Sequence, residues 1–123
     1  MGGIDQPNWD EHPDAASELE YAADRYLAAS TLSATKFANA VEIALTFILD
    51  MPNNWAVYYE VPANPEIHKK SIAGYPYIIF FQPREEGVLV LAYAHEKKRV
   101  GYWANRLNDY TPKMKPRSGS PIR

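Results

Sequence analysis

No cysteine occurs among the 123 residues, so the chain has neither a disulfide framework nor a catalytic thiol, and a reducing compartment suits it. Its three histidines stand far apart without paired-ligand spacing, so no metal site is expected. A glycine-rich phosphate loop is missing too, which argues against nucleotide binding, and no cofactor is implied. No uninterrupted apolar run approaches the ~18 residues of a membrane span. The first ten residues lack both the basic and the apolar segment of a signal peptide. The expectation is a cytoplasmic protein with no membrane partner.

The apolar fraction of 46% is ordinary for a globular chain, and the length suits one domain with one core. The net charge of −2 conceals a split. Residues 1–60 hold ten acidic and two basic side chains, whereas residues 61–123 hold five acidic and eleven basic. Because charge acts locally and is screened within roughly 10 Å, the basic half remains suited to a nucleic acid or an acidic partner.

Hydrophobic spacing predicts the elements. Residues 4–11 read as a weak edge strand anchored by Trp9. His12-Pro13-Asp14 opens a helix over residues 14–29, with Pro in its first turn and the acids Asp14, Glu18 and Glu20 where the helix dipole favours them. Ser33 is the expected N-cap of a second helix, whose inner stripe is Phe37, Val41, Ala44, Leu45 and Ile48. Ile43 and Phe47 widen that stripe toward a second contact, and Met51-Pro52 ends it. Residues 53–65 read as a strap crossing the domain.

Three strands follow. Residues 66–73 form the first; the next two flank a turn at Pro83–Gly87, where Gly87 supplies a positive φ. Strict alternation places Val88, Val90, Ala92 and Ala94 on one face of the last strand, with Leu89, Leu91, Tyr93 and His95 on the other. A short helix near residue 105 and a flexible tail over residues 111–123 complete the chain. The fold class is α+β: an N-terminal helical hairpin on a small antiparallel sheet, with the far face left as an open groove or a partner site. One domain occupies residues 1–110.

Four segments resemble the RelE/ParE superfamily of plasmid stabilisation toxins, in family order, from His12 to Leu107. They are His12-Pro13-Asp14-Ala15; Phe37 with Ala40-Val41-Glu42; Gly74-Tyr75-Pro76-Tyr77-Ile78; and Val90-Leu91-Ala92-Tyr93-Ala94-His95 with Lys98-Arg99, Gly101-Tyr102-Trp103 and Arg106. The resemblance implies a β-α-α-β-β-β toxin with a short C-terminal helix, neutralised by a cognate antitoxin and forming homo- or hetero-oligomers with it. RelE-like members cleave messenger RNA on the ribosome. For that branch the resemblance implies His95, Lys98, Arg99 and Tyr102 as catalytic residues. Lys69, Lys70, Lys97, Lys98, Arg99 and Arg106 would contact nucleic acid or another target.

ParE-like members block DNA gyrase by binding and need no catalytic set, so enzyme activity depends on the branch. RelE-like nucleases carry an arginine soon after the Gly-aromatic step, where this chain has Pro76-Tyr77. That departure favours the binding inhibitor. A diverged scaffold that pairs with an antitoxin and poisons nothing is the third alternative, motivated by the acidic N-terminal half. The bland readings stand beside these: His95 as a structural histidine, Lys97-Lys98-Arg99 as a solvated charge run, and Tyr102 and Trp103 as packing.

Overall fold

A computed structural model describes residues 6–117. Strand β1 (Trp9–Glu11) leads into helices α1 (Pro13–Ala29) and α2 (Thr31–Asp50), and then into β2 (His68–Ser71), β3 (Tyr77–Arg84) and β4 (Gly87–His95). Short 3-10 turns lie at Pro52–Asn54, between α2 and β2, and at Ala104–Leu107, after β4. The fold is α+β, but the sheet is mixed, in the order β1-β4-β3-β2, because β1 pairs with β4 in parallel. The expectation of an all-antiparallel sheet fails at that strand. Three residues carry too little pattern to reveal which neighbour they join.

Local chemistry explains the helices. The His12 ring accepts the Asp14 N–H at 3.0 Å, capping α1, and Pro13 fills the first helical position, where no donor is needed. Ser30 alone separates α1 from α2. Its N–H closes α1 onto the Tyr26 carbonyl, and its Oγ accepts the Ser33 N–H at 2.9 Å to cap α2. The cap therefore lies at Ser30 rather than Ser33, and Ser33 occupies the position that receives it. Phe37, Val41, Ala44, Leu45 and Ile48 are buried against the sheet, as their spacing requires, whereas Ile43 and Phe47 face outward. By length and composition α2 is apolar enough to cross a membrane; its buried stripe is built into this core instead.

The β3–β4 hairpin turns through Glu85-Glu86, and Gly87 adopts φ +150°. A Cβ there would lie 2.5 Å from the Asn8 carbonyl oxygen, so the close passage of the lead-in to β1 requires glycine. Register shifts between Phe80 and Phe81: Phe80 pairs with Ala92 but Phe81 with Val90, leaving Leu91 as the extra residue of a β-bulge. The bulge reverses the faces expected for the end of β4. Val88, Val90 and Tyr93 join the helix-side core, while Leu89, Leu91, Ala92 and Ala94 join the other.

The sheet's second face is covered rather than open. Tyr58 of the strap and Ile67, just before β2, pack there with Trp103 around Phe80, Leu89 and Leu91. The strap also closes the β2 edge through Lys69 N–H to Ala56 O and Tyr58 N–H to Ile67 O. Burying apolar side chains on both faces explains why β4 is almost continuously apolar. On the far edge, Trp9 exchanges backbone hydrogen bonds with Lys115, so the expected tail is tied to β1 at that residue. Residues 118–123 of that tail fall outside the described residues.

Candidate functional site: the carboxyl end of β4

Pairing between β1 and β4 ends at Glu11 and Val90, while β4 continues for five residues. Backbone groups on that free stretch need other partners. Glu18 supplies one: its Oε1 accepts the Tyr93 N–H at 3.0 Å. Arg106 supplies the other, donating Nη1–H to the Leu91 carbonyl at 2.9 Å. The two side chains then join each other, with Arg106 Nη1 and Nη2 each 3.0 Å from a different Glu18 oxygen. Tyr102 completes the set by donating its hydroxyl to Glu18 Oε2 at 2.5 Å.

This polar cluster decides the chemical state of its members. Burial, then the hydrogen bond and charge of Glu18, push the Tyr102 phenol far above its ordinary value, so it stays protonated. For Arg106, burial alone would favour the neutral form, but the hydrogen bond and charge of Glu18 outweigh it and raise the guanidinium further. Arg106 was expected at a target surface. It is instead buried, with its donors on Glu18 and Leu91.

Beyond this cluster the chain leaves β4 at His95 and turns through residues 96–101. Glu96, Lys97, Lys98, Arg99 and Val100 are all exposed. Gly101, at φ +71°, brings the chain back into the fold. His95 is held edge-on to Tyr77 at 5.2 Å, and its Nδ1 accepts the Lys97 N–H at 3.1 Å. With Nδ1 occupied as an acceptor, the neutral ring carries its proton on Nε2 and offers a donor rather than a base.

Two clefts flank this loop. The larger, about 500 Å³, lies on the helix side between Tyr21 and Arg25 of α1, Tyr77 of β3, and His95, Lys98 and Tyr102. Arg25 Nη1–H reaches the Tyr77 hydroxyl at 3.4 Å. The smaller, about 110 Å³, lies on the strap side and includes Lys69, Lys98, Arg99, Tyr102 and Trp103. Lys98 sits over the Tyr102 ring at 5.2 Å, between the two.

The structure thus brings His95, Lys97, Lys98 and Tyr102 to one cleft, with Lys69 and Arg99 in the other. Lys70 is apart from both, over the Trp55 ring at 4.5 Å on the helix side of β2. Sequence reasoning missed Glu18, Tyr21, Arg25 and Tyr77. One signal was available for Glu18: it shares a helical stripe with Ala15 and Ala22, both buried, and an acid on a core-facing stripe needs a cation.

A buried carboxylate elsewhere serves the fold. Asp10 accepts the Tyr110 hydroxyl, the Lys113 and Glu11 N–H groups and the Lys115 ammonium. Burial alone would raise its pKa; those four donors outweigh burial and hold it below the usual carboxylate value. His12 is buried with both ring nitrogens engaged, Nδ1 by Asp14 and Nε2 by Asp109 at 2.7 Å. Among the described residues no group of three or more His, Asp or Glu side chains is arranged to hold a metal ion. No protein-family model matches the chain, and no curated protein matches it in sequence.

Proposed function

We propose that the chain is the toxin of a type II toxin–antitoxin (plasmid stabilisation) module. In this reading it is neutralised by a cognate antitoxin and acts in the cytoplasm by binding and blocking a core target such as DNA gyrase. One observation carries the choice of binding over chemistry: the Tyr102 hydroxyl is committed as a hydrogen-bond donor to Glu18, while His95 has its Nδ1 lone pair occupied by the Lys97 N–H. A 2′-hydroxyl attack needs a free base and a poised acid within hydrogen-bond reach of the scissile group. The exposed cations Lys97, Lys98 and Arg99 form a ready electrostatic surface without either. The four motif segments quoted above supply the family to which this reading belongs.

The RelE-type ribosome-dependent nuclease is a second reading, favoured by the shared position of His95, Lys98 and Tyr102 on one cleft. Induced expression in a bacterial host separates the two. Growth arrest with intact messages and unreplicated or broken DNA is the expected result. Arrest with rapid, translation-dependent message cleavage, abolished in a folded Tyr102→Phe variant, would replace the binding reading with the nuclease. Unimpaired growth at high folded expression would refute both and leave a non-toxic antitoxin-binding scaffold.

A further inference from the structure

Helix α2 is more apolar than its place in the core requires. Only a third of its most apolar stretch is buried; Ile43 is 57% exposed, and Phe47, beside Trp55 and under the Lys70 ammonium, is 49% exposed. Met51, one turn on at the C-cap, is 54% exposed. At 100° per residue, Lys36, Asn39, Ile43, Phe47 and Asp50 fall on one outward stripe, opposite Phe37, Val41 and Ile48.

The charges on this stripe have a symmetry that selects its occupant. Lys36 and Asp50 are both exposed, and each stands seven residues, or two helical turns, from Ile43. Turning a second α2 antiparallel about a two-fold axis at Ile43 sets Lys36 of each copy against Asp50 of the other. The same operation sets Ile43 against itself and Phe47 against Asn39. A two-fold interface needs such self-complementarity, with opposite charges at equal distances from the axis. We propose that the outer face of α2 is the interface of a symmetric homodimer, closed by Ile43 at the axis and by two Lys36–Asp50 pairs.

The geometry restricts the packing. The ends of the stripe lie about 10 Å from the axis, so a shallow crossing near +20° keeps lysine and aspartate within reach, whereas a crossing near −50° carries them apart. Lys70, which lies over Phe47 and Trp55, borders the interface from β2, and Asp50 Oδ1 also accepts the Gln6 side-chain amide. No α2 residue lines either cleft beside loop 96–101, so the residues of this interface are separate from those of both clefts. The inference is independent of the toxin reading.

With no native cysteine, a single Ile43→Cys substitution makes a direct probe. The axis brings the two Cα atoms within disulfide range only at the closest approach of the helices. Under mild oxidation this variant should cross-link quantitatively to a dimer, while Ala28→Cys on the exposed side of α1 should not. Sedimentation velocity on the unmodified chain should show a monomer–dimer equilibrium in roughly the micromolar range. Lys36→Asp or Asp50→Lys alone should weaken it at least tenfold, and the double variant should restore it. Both substitutions sit on exposed positions, and circular dichroism checks that each variant is folded. A monomer at every concentration up to hundreds of micromolar overturns the proposal. So does dimerisation that survives the single charge reversals, or that the double reversal fails to restore.

Discussion

Replacing Glu18 with alanine removes the acceptor on which four donors converge: two Arg106 N–H groups, the Tyr102 hydroxyl and the Tyr93 backbone N–H. Arg106 remains buried beside the Leu91 carbonyl with two of its three hydrogen bonds gone and only the exposed Asp14 carboxylate, 3.9 Å away, as a counter-charge. Breaking one partner of a buried ion pair costs about 3–5 kcal/mol, most of it the penalty of an uncompensated charge. Glu18 keeps 20% of its side-chain surface exposed at the cleft, so water can reach the vacated site and the lower end applies. A loss of about 3 kcal/mol is a large share of the 5–15 kcal/mol that stabilises a typical domain. Urea unfolding followed by circular dichroism measures it, and the thermal midpoint should fall by roughly 12 °C at about 4 °C per kcal/mol. Combining Glu18→Leu with Arg106→Leu should cost less than the two single losses added, because neither charge is then stranded. A Glu18→Ala loss under about 1 kcal/mol, with additive singles, would refute the account and return Arg106 and Tyr102 to the list of free functional groups.

Asp10→Asn should lower stability at neutral pH by about 1–3 kcal/mol, because four donors lose a charged acceptor. Since the folded carboxyl lies below its unfolded value near 3.9, the stability it adds is present above that value and lost as pH falls through the folded one; urea curves for the two proteins should converge below about pH 4. The hydrogen bond to Asp10, with burial, lifts the Tyr110 phenol to about 12, so its contribution is complete below about pH 10 and disappears as pH rises toward 12; Tyr110→Phe should flatten that limb of the stability profile. Gly87→Ala should destabilise by about 1–3 kcal/mol, read as a lower denaturation midpoint, since its Cβ would meet the Asn8 carbonyl. Arg99→Ala, on an exposed loop position, should leave stability within about 0.5 kcal/mol and, under the proposed toxin reading, relieve growth arrest.

How much of this was legible depends on where the information sits. The α2 core stripe, the order of elements and the Gly87 turn follow from local spacing and backbone preference, and the sequence carries both. The cap at Ser30 was obscured because Ser30, Thr31 and Ser33 each offer a start, and only the hydrogen bond to the Ser33 N–H distinguishes them. The bulge at Leu91 left no trace, since β4 is apolar on both faces and a one-residue slip leaves its pattern unchanged. The covering of the far face by Tyr58 and Ile67 was hidden by the two prolines near them, which mark an irregular segment but not its destination. The Lys97–Arg99 run was readable as exposed charge. Its neighbours Tyr21, Arg25 and Tyr77 come from other elements, and linear spacing cannot place them.

The Tyr102-Trp103-x-x-Arg106 segment carries one residue pattern with two meanings, and the structure separates them by what each side chain touches. Trp103 fills the strap-side core against Phe80, while Tyr102 and Arg106 close the unpaired end of β4 through Glu18. The loop between His95 and Tyr102 is consequently held at both ends: by Tyr77 and the Lys97 N–H at one, and by the Glu18 cluster at the other. A loop anchored in this way loses less conformational entropy when a partner engages it, and that saving appears directly as affinity. Catalysis would require the opposite arrangement, with phenol and imidazole free to exchange protons. The contacts that complete the sheet are therefore the contacts that pre-organise the exposed Lys97, Lys98 and Arg99. Under the proposed target-binding reading, a substitution at Glu18 should therefore weaken binding and stability together, whereas one at Arg99 should weaken binding alone.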